Sequence, residues 1–277
     1  MAHILLASDL SERSDRALAR AFRMAASQDA TLTALHVVDG DLPVDLSRRL
    51  VSEAKTHLER FCAAQVGADK VTWSARVDRG DPAADIHAVA EELGADLIVT
   101  GLHRRRAFFD SWRETTLGYL VRMSAHPVLL VAEPADHEYR RVLAPIDFSP
   151  AATAALNAAH RWAPGAEIRA FHAVHAAISR MDAHDPGHVM AKAHVHDVED
   201  AARRWADAGG LPPNIAAPRV IEGGIGTVLD HERQAFDPDL IAIGAHARHA
   251  LERRVLGSFA RDMVRDPPTD LLITRPA

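Results

Sequence analysis

The chain has 277 residues, 48% of them hydrophobic and 25% charged, enough apolar material for one large domain or two of ordinary size. A formal net charge of -6 excludes bulk attraction to nucleic acid or to an anionic membrane, and the lone Cys62 excludes a disulfide framework or a cysteine metal site, as suits a reducing cytoplasm. The apolar start from His3 to Ser8 is too short for a signal segment and runs into Asp9, Glu12 and Arg13, and no stretch approaches the roughly 20 apolar residues of a bilayer span. The expectation is a cytoplasmic protein without membrane or nucleic-acid partners.

Read in chain order, the sequence is written twice. A β-rich run, HILLAS, ends at Asp9 and is followed by an Ala-rich segment with helical periodicity, Ser14 to Ser27. Next come the strand-like TLTALHVVD, a helix from Pro43 to Val66, TWSARVDRG, a helix from Pro82 to Leu93, and ADLIVTG, which closes on Gly101. A helix from Thr115 to Ser124 and the run HPVLLV complete this half, and the polar segment Glu133 to Arg140 has the composition of a linker. The order then recurs. RVLAPID ends at Asp147; a helix from Pro150 to Trp162 leads to EIRAFHAVH, a helix from Val189 to Ala208 to APRVIEG, and a helix from Thr227 to Phe236 to DPDLIAIG, ending at Gly244. A helix from Ser258 to Arg265 precedes the last run, TDLLIT. Five strands per half alternating with helices is the βαβ signature. The expected fold is α/β, two tandem doubly wound parallel five-stranded sheets with helices on both faces, one over 1–137 and the other over 138–277.

Right-handed crossovers restrict each half to doubly wound arrangements, and in the Rossmann-like order 3-2-1-4-5 the connection reverses between strands 1 and 4. Ligands of open α/β sheets sit at that switch, outside the carboxyl ends of the strands. The loops with Asp9 and Gly101, or with Asp147 and Gly244, therefore meet at one crevice. An ionised Asp only accepts hydrogen bonds, which suits a ribose hydroxyl; the plain alternative is that it caps the next helix. In the second half, Gly244 and Gly257-Ser258 let backbone N–H groups approach a phosphate at the positive end of a helix dipole, with Arg248, Arg253 and Arg254 available for charge-assisted contacts. A strand-to-helix connection needs turn residues in any case, so the glycines alone leave both readings open.

With these residues in place, the chain resembles a tandem universal stress protein, two domains of the UspA type covering nearly all of it. Nucleotide-binding members of that family carry, after strand 4, Gly, two residues, Gly, nine residues, then Gly followed by Ser or Thr. The matching second-half positions are Gly244, Ala247, Gly257 and Ser258; in the first half they are Gly101, Arg104, Glu114 and Thr115. The resemblance implies that Asp9 and Asp147 contact the nucleoside and that Val37, Val38 and Ala173, Val174 line the adenine. It also implies the 3-2-1-4-5 order and pairing of domains through their fifth strands, as a pseudo-dimer within one chain or a homodimer of two.

The departures set the halves apart. Glu114 would put a carboxylate beside polyphosphate oxygens, at a cost on the order of 1 kcal/mol or more, and Arg104 is placed to fill the crevice or pair with it. Ala247 fails only if its backbone needs a positive φ. The expectation is therefore ATP, with Mg, in the second domain only, with Asp9, Val38, Gly101 and Thr115 as weaker first-domain equivalents.

Other patterns carry less. The Gly224-x-Gly226 after the second-half third strand lacks a third glycine, having Leu229 there, and lies away from the switch point. Of 17 histidines, the group His172, His175, His184, His188, His194 and His196 has no HExxH pattern and no Cys partner, and Asp185-Pro186-Gly187 reads as a turn between its one pair of suitable spacing. No metal ligand is assigned. Neither G-x-S-x-G nor a Walker A run is present, and no catalytic residue is assigned. The functional expectation is a regulatory stress-response protein acting through a protein partner and biased by an adenine nucleotide. The alternatives are an interaction module without nucleotide and, more weakly, a slow ATP hydrolase with Asp147 as its sole candidate base.

Overall fold

The computed structural model describes residues 1–102, 116–174, 186–245 and 257–276, with 13 and 186–195 described by backbone alone. The first repeat runs β1 (His3–Ala7), α1 (Glu12–Ser27), β2 (Thr31–Asp39), α2 (Val44–Ala63), β3 (Trp73–Gly80), α3 (Pro82–Leu93), β4 (Leu97–Gly101), α4 (Thr116–Met123) and β5 (Val128–Val131). The second runs β6 (Arg141–Pro145), α5 (Pro150–Trp162), β7 (Glu167–Val174), α6 (Pro186–Trp205), β8 (Arg219–Glu222), α7 (Ile225–Phe236), β9 (Leu240–Gly244), α8 (Ser258–Arg265) and β10 (Asp270–Thr274). The α/β class and the strand-helix alternation follow the expectation.

The compact units do not follow the repeats to the end. One unit comprises Met1–Glu138 together with Ala245–Arg275, and the other Tyr139–Gly244. In the first, the strands lie in the order β3-β2-β1-β4-β5-β10. The pairs β1–β2, β2–β3, β1–β4 and β4–β5 are parallel, so the expected 3-2-1-4-5 order is present. Central strands read as continuous apolar runs because both faces are covered: Ile4, Leu5 and Leu6 of β1 and Leu97, Ile98 and Val99 of β4 are fully buried.

The fifth strands of the two repeats pair antiparallel, with Leu130 opposite Leu271, Leu129 opposite Leu272 and Val128 opposite Ile273. Every residue of β5 and β10 is buried, which draws the end of the second repeat into the first unit. A buried ion pair adds to this. Asp270 lies 3.4 Å from Arg20 of α1, both nearly inaccessible, and the Asp270 carboxylate accepts the N–H groups of Ala132 at 2.8 Å and Glu133 at 2.9 Å. Three arginines on α1 then hold the connecting segment by its carbonyls: Arg16 donates to Ala132, Arg20 to His137 and Arg23 to Ala135. The segment that reads as a linker is bound along its backbone to α1.

The second unit has the order β9-β6-β7-β8, again with parallel pairs. Helix α5 starts with Pro150 in its first turn and is capped by Ser149, whose hydroxyl accepts the Ala152 N–H at 3.2 Å. Its alanine face packs closely on β9: a Cβ at Gly244 would stand 2.5 Å from the Ala151 carbonyl carbon. One local expectation is corrected here. Pro186 and Gly187 are not a turn but the start of α6, since Pro in the first helical turn forfeits only an N–H that has no intrahelical acceptor.

Candidate functional site

The positions that chain order assigned to a crevice sit at the carboxyl ends of the strands. In the first unit β1 has β2 on one side and β4 on the other, so the loop after β1 lies at the direction switch. There Asp9 turns its Oδ1 inward along the chain, accepting from the Ser11 N–H at 3.0 Å, the Ser11 hydroxyl at 2.6 Å and the Ser14 hydroxyl at 2.6 Å. Leu10 follows with φ of 58°, a left-handed turn that swings α1 away from the strand end. Beside it, His36 donates from Nδ1 to the Ser8 carbonyl at 2.8 Å. A carbonyl only accepts, so that bond fixes the tautomer and leaves Nε2 an acceptor in the neutral ring.

These residues border a cavity of about 510 Å³ whose walls include Asp9, Leu10, His36, Val37, Val38, Asp39, Glu53 and His57, within the size range of small-molecule sites. Asp9, Val37 and Val38, assigned by resemblance, are thus brought together on one wall. The opposite wall comes from α2, through Leu50, Glu53, Ala54 and His57, and was missed in the sequence. Their spacing of three and four residues places them on one helical face, and a search for polar groups recurring on such a face would have found Glu53 and His57. Three carboxylates, Asp9, Asp39 and Glu53, stand around an apolar floor. Arg49, 4.0 Å from Glu53, is itself exposed, and a pair of that kind is worth little. Gly101 ends β4 opposite Val131. Arg104, Glu114 and Thr115 lie outside the described residues.

The second unit repeats the turn with different packing. Asp147 accepts the Ser149 N–H at 3.1 Å, Phe148 has φ of 61°, and His172 donates from Nδ1 to the Ile146 carbonyl at 2.7 Å. Phe148 stacks on His172 with ring centroids 4.5 Å apart and has Trp205 on α6 at 5.7 Å; the Trp205 indole donates to Thr153 at 3.2 Å. Of the pair assigned to a base, Ala173 is partly exposed, whereas Val174 is only 4% exposed and belongs to the core. Gly244 ends β9 where only a glycine clears α5. Gly257 is the N-cap of α8 and provides no side-chain cap, so the first N–H groups of that helix lack an intrahelical acceptor; Ser258 next to it is exposed. Ala247, Arg248, Arg253 and Arg254 lie outside the described residues.

Among the described residues, no three His, Cys, Asp or Glu side chains converge to hold a metal ion. His175 and His184 fall outside them, and His188 and His194 are described by backbone only. Among the described residues no helix is long and apolar enough to cross a membrane. Cys62 is fully buried, and burial pushes its thiol up to about 12, far from a reactive thiolate at neutral pH.

The chain resembles known proteins along its whole length. A universal stress protein from Archaeoglobus fulgidus superposes on 99% of this chain and 96% of its own with a TM-score of 0.73 at 18% identity. A universal stress protein from Pseudomonas aeruginosa UCBPP-PA14 covers 99% of this chain and 93% of its own with a TM-score of 0.65 at 17% identity. At those identities the likeness concerns the fold. In sequence, universal stress protein A homolog 1 of Coxiella burnetii is 33% identical over 113 residues, spanning 36% of this chain and 76% of that protein. The model of the universal stress protein family matches twice, over residues 1–132 and 138–275, and the chain therefore belongs to the universal stress protein family as a tandem member.

Proposed function

We propose that this protein is a regulatory stress-response member of its family with two unequal ligand crevices, the second repeat taking ATP and the first a nucleoside-sized ligand without a polyphosphate. The observation that carries this reading is the first-unit cavity of about 510 Å³ bordered by Asp9, Asp39 and Glu53. Its apolar floor suits a flat base, its carboxylates accept from ribose hydroxyls and exocyclic amines, and the same carboxylates repel phosphate. At ~4 Å and an effective dielectric near 20, each like-charge pair costs about 4 kcal/mol.

In the second repeat, Asp147 would serve the ribose, Ala173 rather than the core residue Val174 the base side, and Gly244, Ala247, Gly257 and Ser258 the phosphate side with its Mg, as the family pattern implies. Support comes from the partly exposed Ala173 and from the α8 N-terminus, whose N-cap Gly257 contributes no competing side-chain acceptor. The nucleotide then biases the choice of a protein partner.

Calorimetric titration of nucleotide-stripped protein tests the reading, with Mg-ATP and with adenosine as separate ligands. Mg-ATP should fill one site per chain and lose it in Gly257→Glu, while adenosine binding to the first repeat should be lost in Asp9→Ala. Mg-ATP binding abolished by Asp9→Ala and untouched by Gly257→Glu would reverse the asymmetry. No heat with either ligand would leave an interaction module without nucleotide, and Mg-dependent phosphate release lost in Asp147→Asn would add slow hydrolysis.

A further inference from the structure

The wall that α2 gives to the first-repeat cavity is joined to β2 through residues 40–43 alone. Leu42 of that connection borders the cavity itself, as do Asp39 before it and Leu50 after it. The helix that follows is weakly anchored at this end. Its N-cap, Pro43, makes no side-chain bond, and up to Leu50 only Ser47 is buried, whereas Ala54, Leu58 and Cys62 are buried further on. Val44 and Leu46 are apolar yet exposed. An end held by so little burial opens more readily than the body of the helix.

The connection is held instead by the edge strand β3. The Gly40 N–H donates to the Gly80 carbonyl at 2.9 Å, and the two glycines approach so closely that a Cβ at Gly40 would stand 3.1 Å from the Gly80 Cα. Arg79, opposite Val38 in the register, then donates from Nη2 to the carbonyls of Gly40 and Leu42, the latter at 3.1 Å. Hydrogen bonds from a charged donor are stronger than those between neutral groups. Arg76 on the same strand pairs with Asp78 and Glu92, which leaves the loop to Arg79.

The second repeat places a different group at this position. His36 and His172 correspond, since each donates to the carbonyl just past its first strand, and Val38 therefore corresponds to Val174. The register partner of Val174 is Glu222. An ionised carboxylate only accepts and cannot bond a carbonyl. A cation at this position is thus a property of the repeat that has the open cavity.

We propose that Arg79 is a positioning residue of the first-repeat cavity, latching residues 40–43 to the sheet edge so that Leu42 and the first turns of α2 stay over a bound ligand; this rests on the reading of that cavity as a ligand site. Arg79 does not itself border the cavity. It acts through Leu42 and α2, and its removal lets that wall swing away, so that a ligand leaves sooner while its rate of arrival changes little. Affinity differences within one binding site lie mostly in the dissociation rate.

Hydrogen exchange and adenosine kinetics on the full-length protein test it, the kinetics being read at the adenosine site that Asp9→Ala removes. Arg79→Met keeps an unbranched apolar stem and loses the donors. It should speed exchange at the Gly40, Asp41 and Ser47 amides by about fivefold or more and leave Leu32 to Leu35 of β2 unchanged. It should also speed adenosine dissociation by about tenfold, with association within about twofold of the wild type. Arg79→Lys, which keeps a charged donor, should recover most of both effects. Unchanged exchange at residues 40–47 in Arg79→Met would overturn the proposal, as would exchange raised equally at Leu32 to Leu35, which would mean a general loss of stability. So would faster exchange with unaltered adenosine dissociation, or no recovery in Arg79→Lys. Failure of adenosine to bind the wild-type protein is a separate result, which would remove the ligand reading and with it this role of Arg79.

Discussion

In the first repeat Asp9 gathers the hydroxyls of Ser11 and Ser14 on one carboxylate oxygen, whereas in the second Asp147 accepts the Ser149 N–H and the Ser149 hydroxyl caps α5. The residue between is left-handed in both, Leu10 and Phe148, and the histidine of the second strand donates to the same upstream carbonyl in both. Duplication has kept the backbone turn and changed what is built on it. Leu10 lines an open cavity in the first, and Phe148 joins a stack with His172 and Trp205 in the second. The repeats diverge at strand ends, where side chains are free of the packing that constrains strand centres on both faces.

The largest test of this divergence is the arginine helix. At the positions corresponding to Arg16 and Arg20 of α1, helix α5 has Ala154 and Ala158, so only α1 carries a buried cation. Asp270→Ala should leave Arg20 buried without its countercharge and cost about 3–5 kcal/mol in guanidinium unfolding. Arg23→Ala on the same helix, whose ion pair with Glu138 is half exposed, should cost no more than about 1 kcal/mol from that pair. Equal effects would show that the Arg20–Asp270 pair does not hold the end of the second repeat to the first unit.

Next in size is the contact of β9 with α5. Gly244→Val inserts carbon where Ala151 backbone lies within 2.5 Å of a Cβ, and overpacking of this kind should cost about 1–3 kcal/mol in chemical denaturation. An unchanged midpoint would mean that the contact of β9 with α5 does not require glycine at 244. Smaller still, Ser149→Ala should lose about 1 kcal/mol as a helix cap. Ser11→Ala should lose less, because no capping bond is made by its side chain. If the two losses are equal, the different uses of the serine have no energetic weight.

The smallest effect is confined to a pH window. Burial lowers the His3 pKa below 6.5, with Asp96 opposing the shift. The unfolded chain then binds the proton more readily than the folded one, so this contribution is complete above about pH 6.5 and is lost as the pH falls through that value toward the lower folded one. Thermal melts from pH 8 to 5 should show a shallower decline for His3→Gln, and an unchanged slope would remove His3 from the account.

Periodicity and order of elements made the class and the strand order legible, because a strand buried on both faces must be apolar throughout and a helix must show its stripe. Asp9, Asp147, Gly244 and Gly257 were legible as strand-end and helix-start residues for the same local reason. Glu53 and His57 were not, because a helical face carries no mark of the strand it will oppose. The start of α6 at Pro186 was misread because proline and glycine signal a turn and a first helical turn alike.

The repetition of one α/β unit, and the different residues the two copies carry after their fourth strands (Gly101, Arg104 and Glu114 against Gly244, Ala247 and Gly257), can be read from the chain alone, since patterning and glycine positions are local properties. Folding alone reveals that β10 and α8 belong to the first unit, that the linker is held by three arginines, and that β8 pairs with β7 only from Phe171 onward. Each of these depends on which segments come together after folding, and a pairing between distant residues such as Arg20 and Asp270 leaves no local pattern to read.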